Sequence, residues 1–334
     1  MLDSRELPKR YLGCMFGLAV GDALGAPIEF LSIEDIRSRY GPGGVTEYLE
    51  WGGFPPGSFT DDTQMSLATA EGCIRSYQHL RARGTVSPPQ LVWKRYKAWL
   101  RTQSDAKQKR APGSTCLAAL RSTKMPTPAL KANDSKGCGA VMRMAPLGLA
   151  YGPAEAFRYG IECGACTHGH PTGYLPAAFL AAMIAEIVEG AGVAESVRRV
   201  MPILQGQKAH EETKAAVERA ARLVSSPRSP QDAVAELGGG WVAEEALAIA
   251  VYCSLKFPRD FQSAVIAAVN HSGDSDSTGC ITGAILGASL GVDEIPLPWV
   301  NNIEDYDRIK KIALDLYRVA RTGAELSADE YPPE

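Results

Sequence analysis

The sequence lacks the long hydrophobic runs that carry a chain into or across a membrane. None of its 334 residues belongs to an uninterrupted apolar stretch of about 18 or more, the length that a transmembrane helix needs. Its first residues, MLDSRELPKRYLG, contain no apolar core of the kind found in signal peptides. We therefore expect a cytoplasmic protein that has no membrane partner.

An excess of charge of one sign is missing as well. The chain has 35 Lys and Arg against 38 Asp and Glu, which gives a formal net charge of −3. This balance provides neither the basic surface that binds nucleic-acid polymers nor the polybasic cluster that binds anionic lipids. The 8 cysteines are dispersed. In a chain of this length that favours free thiols in a reducing compartment over a disulfide scaffold.

Strand patterns are scarce, and only residues 44–51 suggest a short hairpin or an extended loop. Apolar residues instead recur every three or four positions in segments rich in Ala, Leu, Glu, Arg and Met, a spacing typical of helices. We predict helices at residues 10–24, 61–77, 90–101, 171–189, 212–224, 243–255, 261–269, 278–290 and 303–320. The lack of strand–helix alternation disfavours a doubly wound sheet.

The loops predict how the chain is organised. Residues 103–113 are polar and basic and suggest a mobile surface loop, while residues 225–233 and 238–241 look like surface connections. None resembles a long linker between domains. We expect a single compact all-α domain over residues 1–325, followed by a frayed tail at residues 326–334.

The first chemically informative motif is SFTDDTQ at residues 58–64, where a Gly/Pro-rich loop enters a predicted helix. Thr60 suits a helix N-cap, and acids suit the first turn because they face the positive end of the helix dipole. A cap needs only one such side chain, however, and the adjacent Asp61 and Asp62 repel each other. Capping and cation binding both stay open for this segment.

The second motif, NHSGDSDSTG at residues 270–279, also precedes a predicted helix. It can be a cap whose glycines allow close helix packing, or it can place the carboxylates of Asp274 and Asp276 around a cation. An EF-hand loop is excluded. Counted from Asp274, the twelfth position is Ile285, where a bidentate glutamate is required.

The two motifs share one chemistry, because each offers two aspartates and a hydroxyl at a helix start. Four carboxylates brought together would repel strongly without cations, and such oxygen ligands favour Mg²⁺, Mn²⁺ or Ca²⁺ over Zn²⁺. A pair of ions in this setting is a metal-assisted hydrolase layout. A zinc or redox site is the alternative at the Cys/His group formed by Cys163, Cys166, His168 and His170. It lacks a second CxxC pair.

Five blocks of this sequence resemble the ADP-ribosylglycohydrolase family. They are GCMFGLAVGDALGAPIEF (13–30), SFTDDTQM (58–65), SKGCGAVMRMAPLG (135–148), THGHPTG (167–173) and NHSGDSDSTGCITGAILGASLG (270–291). The resemblance implies an all-α fold with two Mg²⁺ or Mn²⁺ ions at the bottom of a cleft. It implies an enzyme that hydrolyses ADP-ribosylated protein, first of all at ADP-ribosyl-arginine, and releases ADP-ribose.

The resemblance also implies roles for the acidic motifs. The metal ligands would be Thr60, Asp61, Asp62, Asp274, Asp276 and Ser277. At the last position the family usually has Thr, so a hydroxyl is kept. Glu29 matches a family acid close to the metals and the substrate ribose, although without the family it would be an ordinary helix-end acid. Asp62 or Glu29 would act as the catalytic general base.

Contacts to ADP-ribose are implied at three further places. Gly137, Cys138 and Gly139 match a glycine-rich loop that approaches the diphosphate, although the family often has Asn at the position of Cys138. His168 matches a histidine beside the ribose and diphosphate. Trp241 falls where relatives have an aromatic residue near the adenosine, which suits stacking. From the residues alone, a turn with a helix start is favoured for the loop and a structural histidine for His168, whereas a core tryptophan explains Trp241 equally well.

One departure from the family concerns the acceptor side chain. Some relatives carry an acid, thought to meet the arginine guanidinium, where this chain has Ala111, unless Asp105 replaces it. Hydrolysis of ADP-ribosyl-serine or another ADP-ribosyl linkage is therefore the enzymatic alternative. In a different class of function, the protein would be an immunity or binding protein that sequesters a cognate ADP-ribosyltransferase.

Overall fold

A computed structural model describes residues 6–327 and 329–331 of the chain. In this part of the chain the fold is built from sixteen α-helices without any sheet, which confirms the all-α prediction. The extended stretch at residues 44–51 forms no hairpin. Only isolated bridges occur in the described residues, between Trp51 and Phe54 and between Gly137 and Val242.

The sixteen helices share one helical core and are numbered in chain order. They are α1 (Glu6–Gly25), α2 (Ile33–Tyr40), α3 (Asp61–Arg83), α4 (Pro88–Thr102), α5 (Ser114–Ala119), α6 (Ala145–Ala150), α7 (Pro153–Ala165), α8 (Pro171–Val188), α9 (Val193–Gln205), α10 (Glu211–Leu223), α11 (Pro230–Leu237), α12 (Ala243–Lys256), α13 (Phe261–Val269), α14 (Ser275–Leu290), α15 (Leu297–Asn301) and α16 (Tyr306–Tyr317). Short 3₁₀ turns (Ala26–Ile28, Cys138–Arg143, Val292–Glu294) and a π-turn (Arg318–Thr322) complete them.

Helices α1 and α14 pack antiparallel with their backbones in direct contact. Glycines at every fourth position line the touching face of each helix. A Cβ added to Gly17 would overlap the carbonyl oxygen of Gly283, and one added to Gly21 would overlap that of Gly279. Residues four apart share a helix face, so this spacing leaves a continuous stripe without side chains. The contact brings the end of α1 beside the start of α14.

Each predicted helix is present, with the predicted ends at residues 261–269 and with shifted ends elsewhere, but several others were missed from the sequence. The prediction that residues 225–233 are a surface connection is wrong in its second half, which belongs to α11. Pro230 occupies the first helical turn, where no backbone donor is needed, and Ser229 caps the N–H of Asp232.

Two helical segments are long and apolar enough to cross a membrane, although neither is an uninterrupted apolar run. They are residues Glu6–Ile28, which include α1, and Pro171–Val188, which is α8. Within the fold, 89% and 83% of their most apolar windows are buried by the rest of the chain. Both therefore act here as core helices.

The predicted frayed tail is described only in part, because Ala328 and residues 332–334 lie outside the described residues. Tyr331 is buried, and its hydroxyl donates to Asp315 Oδ2 at 3.0 Å. Glu330 pairs with Lys311 at 3.2 Å. These contacts fix the described end of the tail against α16.

Candidate active site

A cavity of about 350 Å³ opens where α1 ends and where α3 and α14 begin. We call it the acidic cleft after the five carboxylates that line it: Glu29, Asp61, Asp62, Asp274 and Asp276. The site residues predicted from the sequence all line this cavity, with the exception of Thr60. All five sequence blocks therefore meet at one place, although they are widely separated in the chain.

The start of α3 holds Asp61 and Asp62 at the cleft. Thr60 is fully buried, and its hydroxyl accepts a hydrogen bond from the N–H of Asp62 at 3.2 Å. Asp22, which the sequence reasoning missed, accepts from the N–H of Thr60 and from both the N–H and the hydroxyl of Thr63, at 2.6–2.9 Å. The sequence does place this acid inside an apolar helix with regularly spaced glycines. A buried carboxylate in such a helix needs a hydrogen-bonding or charged partner.

The start of α14 presents the second acidic pair. Asp274 Oδ1 and Asp276 Oδ1 accept from the N–H of Ser277 at 3.2 and 2.9 Å. The N–H of Asp274 donates to Gly239 O at 2.8 Å, which ties this turn to the loop carrying Trp241. Capping and clustering therefore coexist in both motifs.

The backbone contact of α1 with α14 brings a third acid to this pair. One carboxylate oxygen from each of Glu29, Asp274 and Asp276 lies within 4.8 Å of the others. Among the described residues, no other group of three or more potential ligands reaches this proximity, and the Cys163–His170 segment forms none. His170 instead caps α8 by accepting from the N–H of Thr172.

Burial and mutual repulsion make this concentration of charge unfavourable. Burial, together with the charges of Asp274 and Asp61, raises the pKa of Glu29 to about 8. Burial also raises the pKa values of Asp61 and Asp62, where the charge of Asp22 adds to it. For Asp276, burial and then the charge of Glu29 have the same effect on its pKa.

One buried oxygen in the acidic cleft lacks a hydrogen-bond donor in the part of the chain that the structure describes. Asp62 is almost fully buried, and its Oδ2 atom accepts no hydrogen bond there. An unpaired carboxylate oxygen in such a place is costly unless a cation neutralises it. This orphaned oxygen and the purely oxygen-rich acid set fit a divalent cation such as Mg²⁺ or Mn²⁺.

The glycine-rich loop forms one wall of the cleft. The N–H groups of Gly137 and Cys138 already donate to Ser135 Oγ and Trp241 O, so they are not available to a diphosphate. A Cβ on Gly139 would lie 3.1 Å from Cys116 Sγ and from the ring of His168, which explains the small residue. Ligand contact by this loop stays a prediction.

Buried polar groups hold that loop in place from behind. Arg143 is completely buried and donates to Gly139 O and to Thr167 Oγ1, each at 2.6 Å. It therefore supports the loop and does not face the cleft. His168 lines the cleft beside Thr167 Oγ1, and burial followed by the charge of Arg143 lowers its pKa to about 3. The imidazole is consequently neutral at physiological pH.

Two exposed aromatic rings stand at the rim of the acidic cleft. Trp241 is 43% exposed and stacks on Phe30, which is 71% exposed, with ring centroids 5.1 Å apart and planes at 23°. The alternative that Trp241 is a core residue is thereby excluded. The sequence reasoning missed Phe30, which adopts an unusual positive φ of 69°. The loop at residues 238–241 is thus part of the site and more than a surface connection.

The loop before α5 also lines the cleft. Ala111, Pro112 and Gly113 line it, whereas Asp105 does not and instead accepts from the N–H of Lys107. The prediction of a mobile surface loop at residues 103–113 is wrong at its end. Arg110 is buried there and forms a bidentate pair with Glu304 at 2.7 and 2.9 Å.

Comparison with known proteins assigns the sequence of this chain to a family. The model of the ADP-ribosylglycohydrolase family covers residues 3–325. The chain belongs to the ADP-ribosylglycohydrolase family. It is accordingly a hydrolase, as its named enzyme relatives are, and the family is metal-dependent in general.

Individual relatives extend over almost the whole chain. An ADP-ribosyl-(dinitrogen reductase) glycohydrolase from Rhodospirillum rubrum is 30% identical and covers 88% of this chain and 90% of its own length. The ADP-ribosylarginine hydrolase Tri1 from Serratia proteamaculans is 26% identical, covering 92% and 79% respectively. A solved ADP-ribosylglycohydrolase-related protein complex superposes with a TM-score of 0.72 at 29% identity, covering 95% of this chain and 99% of that one.

Proposed function

We propose that this protein is a metal-dependent hydrolase that removes ADP-ribose from modified protein side chains. The observation that carries the proposal is the acidic cleft, which is lined by five carboxylates, among them Asp62, whose buried Oδ2 accepts no hydrogen bond from the described residues. No Lys or Arg lines the cleft within the described residues. Two divalent cations, Mg²⁺ or Mn²⁺, would provide the positive charge that an anionic ADP-ribosyl group requires.

The proposed ligands are the side chains at the two helix starts: Thr60, Asp61, Asp62, Asp274, Asp276 and Ser277. When bound, the cations would supply Lewis-acid polarisation of water and of the ribose hydroxyls. The bond to be broken lies at the anomeric carbon, and its cleavage passes through an oxocarbenium-like state. Glu29 or Asp62 then takes the proton of the attacking water, since both acids face the cavity.

The remaining lining residues would bind the rest of the ligand. The neutral His168 offers a hydrogen bond without adding charge, and the loop from Gly137 to Gly139 borders the same space. The exposed face of Trp241 suits an adenine ring. Stacked aromatic rings are stabilised by the apolar surface that they bury and by the favourable arrangement of their quadrupoles. These groups orient the ribose toward the acids.

The proposed acceptor is arginine, which rests on the likeness to the Serratia ADP-ribosylarginine hydrolase. One observation favours a second candidate, ADP-ribosyl-serine. The loop segment expected to carry an acid for the guanidinium has Ala111 facing the cleft, and Asp105 lies outside it. We also propose a cytoplasmic location, in keeping with eight free thiols.

The test is a release assay on peptides with arginine- or serine-linked ADP-ribose, quantifying free ADP-ribose with Mg²⁺, with Mn²⁺ and with EDTA. We expect turnover only with a divalent cation, and a loss of at least about 100-fold in Asp61→Asn and Asp276→Asn. Asp105→Asn is the matched control, because that carboxylate sits outside the cleft. Turnover that survives EDTA, or wild-type rates in both acidic-cleft variants, would overturn the proposal. Binding of a cognate ADP-ribosyltransferase without turnover would instead support the sequestering alternative.

A further inference from the structure

Positive charge is concentrated in one segment of the chain beside the acidic cleft. Residues 94–124 comprise the second half of α4, the loop before α5, α5 itself and the turn after it. They contain nine Lys and Arg but a single acid, Asp105. The rest of the chain has 26 Lys and Arg against 37 Asp and Glu. The nearly even charge of the whole chain therefore conceals a strongly basic segment.

Six of these nine side chains are exposed and form no ion pair in the part of the chain that the structure describes. We call them the basic face: Lys94, Arg101, Lys107, Lys109, Arg121 and Lys124. The other three have partners. Arg95 pairs with Glu71 and Arg110 pairs with Glu304, while Lys97 donates to a backbone carbonyl.

The charges of the basic face do not stabilise the fold. Like charges that are close together repel one another and oppose the compact state. Exposed cations on other faces of the molecule are commonly paired, as Lys9 is with Asp293 at 2.8 Å and Arg199 with Glu186 at 3.0 Å. Because the basic face lacks such partners among the described residues, its charge is available to a second molecule.

Contacts within the fold bring the parts of the basic face together. Lys94 and Arg101 are seven residues apart on α4, and Lys97 lies on the same side of this helix. Lys97 Nζ donates to Ser122 O at 2.7 Å. This side of α4 therefore lies against the turn after α5, which carries the last two cations of the basic face.

The basic face extends to the edge of the acidic cleft. Lys109 precedes Ala111, which lines the cleft, by two residues, a backbone distance of at most about 7 Å. Ser114 also lines the cleft, and Arg121, beyond the other end of α5, lies within about 15 Å of it along the backbone. A protein whose modified side chain enters the cleft therefore brings its neighbouring residues to the basic face.

We propose that the basic face docks an acidic protein surface that flanks the ADP-ribosylated side chain. The inference rests on the proposed function and specifies its substrates as proteins with acidic residues around the modified position. Attraction between opposite charges accelerates association and orients the two proteins. The acceptor side chain is thereby directed to the loop of Ala111, at the edge that the cleft shares with the basic face.

A nucleic acid fits this surface less well than an acidic protein does. The five carboxylates of the adjoining cleft repel a continuous polyanion. Tyr96 and Trp99, the two aromatic residues of the basic segment, are both buried and offer no ring on which bases could stack.

Fluorescent peptides that differ only in the charge around the modified residue test the docking. Each carries one ADP-ribosyl group, linked to arginine in one series and to serine in another, with Glu, Gln or Lys at the flanking positions. For the full-length protein, kcat/KM is measured with Mg²⁺ at low and at high salt. The Kd of each peptide is measured separately by fluorescence anisotropy in EDTA.

Acidic flanks should favour the peptide in both measurements. We expect the Glu-flanked peptide to exceed the Gln-flanked peptide at least about 10-fold in kcat/KM at low salt, through a lower KM. The Lys-flanked peptide should be the poorest substrate. High salt should reduce the difference, because ions screen exposed charges.

Two double charge reversals test whether the basic face causes this preference. One combines Lys107→Glu with Lys109→Glu, and the other combines Arg121→Glu with Lys124→Glu. In each, the ratio of Glu-flanked to Gln-flanked kcat/KM should fall to about one, because the attraction becomes repulsion.

Arg198→Glu combined with Lys208→Glu is the matched control. Both side chains are exposed, and they belong to α9 and the turn after it, which do not line the cleft. The control changes the net charge by the same amount and should keep the wild-type ratio. Melting curves show that each variant is folded.

The outcomes separate this inference from the proposed function. If the wild-type protein hydrolyses Glu-flanked and Gln-flanked peptides equally well, the inference is overturned and the proposed function stands. A preference that survives both face reversals, or that is lost equally in the control, overturns the inference as well. So does duplex DNA that binds through the basic face while acidic flanks have no effect. If no peptide is hydrolysed with Mg²⁺ or Mn²⁺, the proposed function fails, and the Kd values alone decide the docking.

Discussion

Asp22 Oδ2 accepts two hydrogen bonds from Thr63, one from its N–H at 2.9 Å and one from its hydroxyl at 2.6 Å. The other oxygen accepts from the N–H of Thr60. One buried carboxylate of α1 thus fixes the first turn of α3, on which two proposed metal ligands stand. Its role is to position other groups, since it does not line the cleft itself.

Asp22→Asn is expected to weaken both the fold and the metal site. The amide cannot accept at both ends, so donors are left unpaired and the free energy of unfolding should fall by about 2 kcal/mol or more. Mg²⁺ affinity should drop about 10-fold, as for groups that orient metal ligands. Urea unfolding and calorimetric Mg²⁺ titration measure the two effects.

Asp315→Asn is the matched control for that variant. Asp315 is equally buried and accepts from Tyr331, Lys311 and Arg318, but it belongs to α16, away from the cleft. The Asp315→Asn variant should have a lower free energy of unfolding and an unchanged Mg²⁺ affinity. Equal losses of affinity in both variants would show that Asp22 acts through general stability alone.

Gly17→Ala tests the contact of α1 with α14. The added Cβ overlaps the Gly283 carbonyl, which belongs to backbone and cannot rotate away. We expect the free energy of unfolding to fall by about 1–3 kcal/mol or more. Gly43→Ala is the control, because nothing lies within 4 Å of its added Cβ and the change should stay within about 0.5 kcal/mol. Similar stability of the two variants would contradict the packing argument.

The stability of the metal-free protein should decrease as pH rises. The pKa of Glu29 is about 8 in the folded chain and 4.5 ordinarily, so the folded state binds more protons than the unfolded state between these values. The free energy of unfolding therefore falls across that window, and it is largest below the ordinary pKa. Saturating Mg²⁺ should remove this slope, because the cation stabilises the deprotonated acids.

Glu29→Gln supplies the control for the pH dependence. The amide does not titrate, so the metal-free variant should show a shallower decline of melting temperature between about pH 5 and pH 8. Melting temperatures of the wild-type protein and the Glu29→Gln variant, measured at several pH values with EDTA or with Mg²⁺, test this prediction. A metal-free wild-type protein that gains stability over this range would show that the acids are already charged when folded.

Trp241→Ala should weaken ADP-ribose binding by removing a stacking surface. Base–aromatic stacking contributes about 1–3 kcal/mol, so the Kd should rise roughly 10-fold or more. Trp241→Tyr keeps a ring and should retain most of the affinity. Isothermal titration with ADP-ribose and Mg²⁺ measures both variants, and an unchanged Kd in the alanine variant would remove Trp241 from the ligand site.

Ala111→Asp should shift preference toward the arginine linkage. Ala111 has a φ of 53°, a conformation that Asp and Asn tolerate better than other side chains, so the exchange adds a charge without added backbone strain. We expect the ratio of arginine- to serine-linked turnover to rise about 10-fold, as a hydrogen-bonded charge pair would give. Ala111→Asn, which lacks the charge, should leave the ratio near its wild-type value.

The acidic motifs could be found from the sequence because their chemistry is local. Adjacent carboxylates at a helix start are visible without any knowledge of the fold, and Asp61 and Asp276 both line the cleft as expected. Helices with strong three–four periodicity were equally visible. The family resemblance then identified Glu29, which periodicity alone would have left as a helix-end acid.

The site features that could not be predicted from the sequence depend on contacts between distant segments. Phe30 is an ordinary loop residue until α1 and the loop of Trp241 come together. The Cys138–Asp274 contact joins residues 136 positions apart, so spacing gives no indication of it. Arg110 reads as part of a solvated basic loop until Glu304 pairs with it.

The glycine contact between α1 and α14 divides the cleft into a part set by main-chain contact and a part formed by a loop. Main-chain atoms at that contact set the spacing of Glu29 from Asp274 and Asp276. The lining formed by Ala111–Gly113 lies outside the glycine contact. Substitutions in that loop can therefore reshape one part of the cleft while the spacing of the three acids is kept.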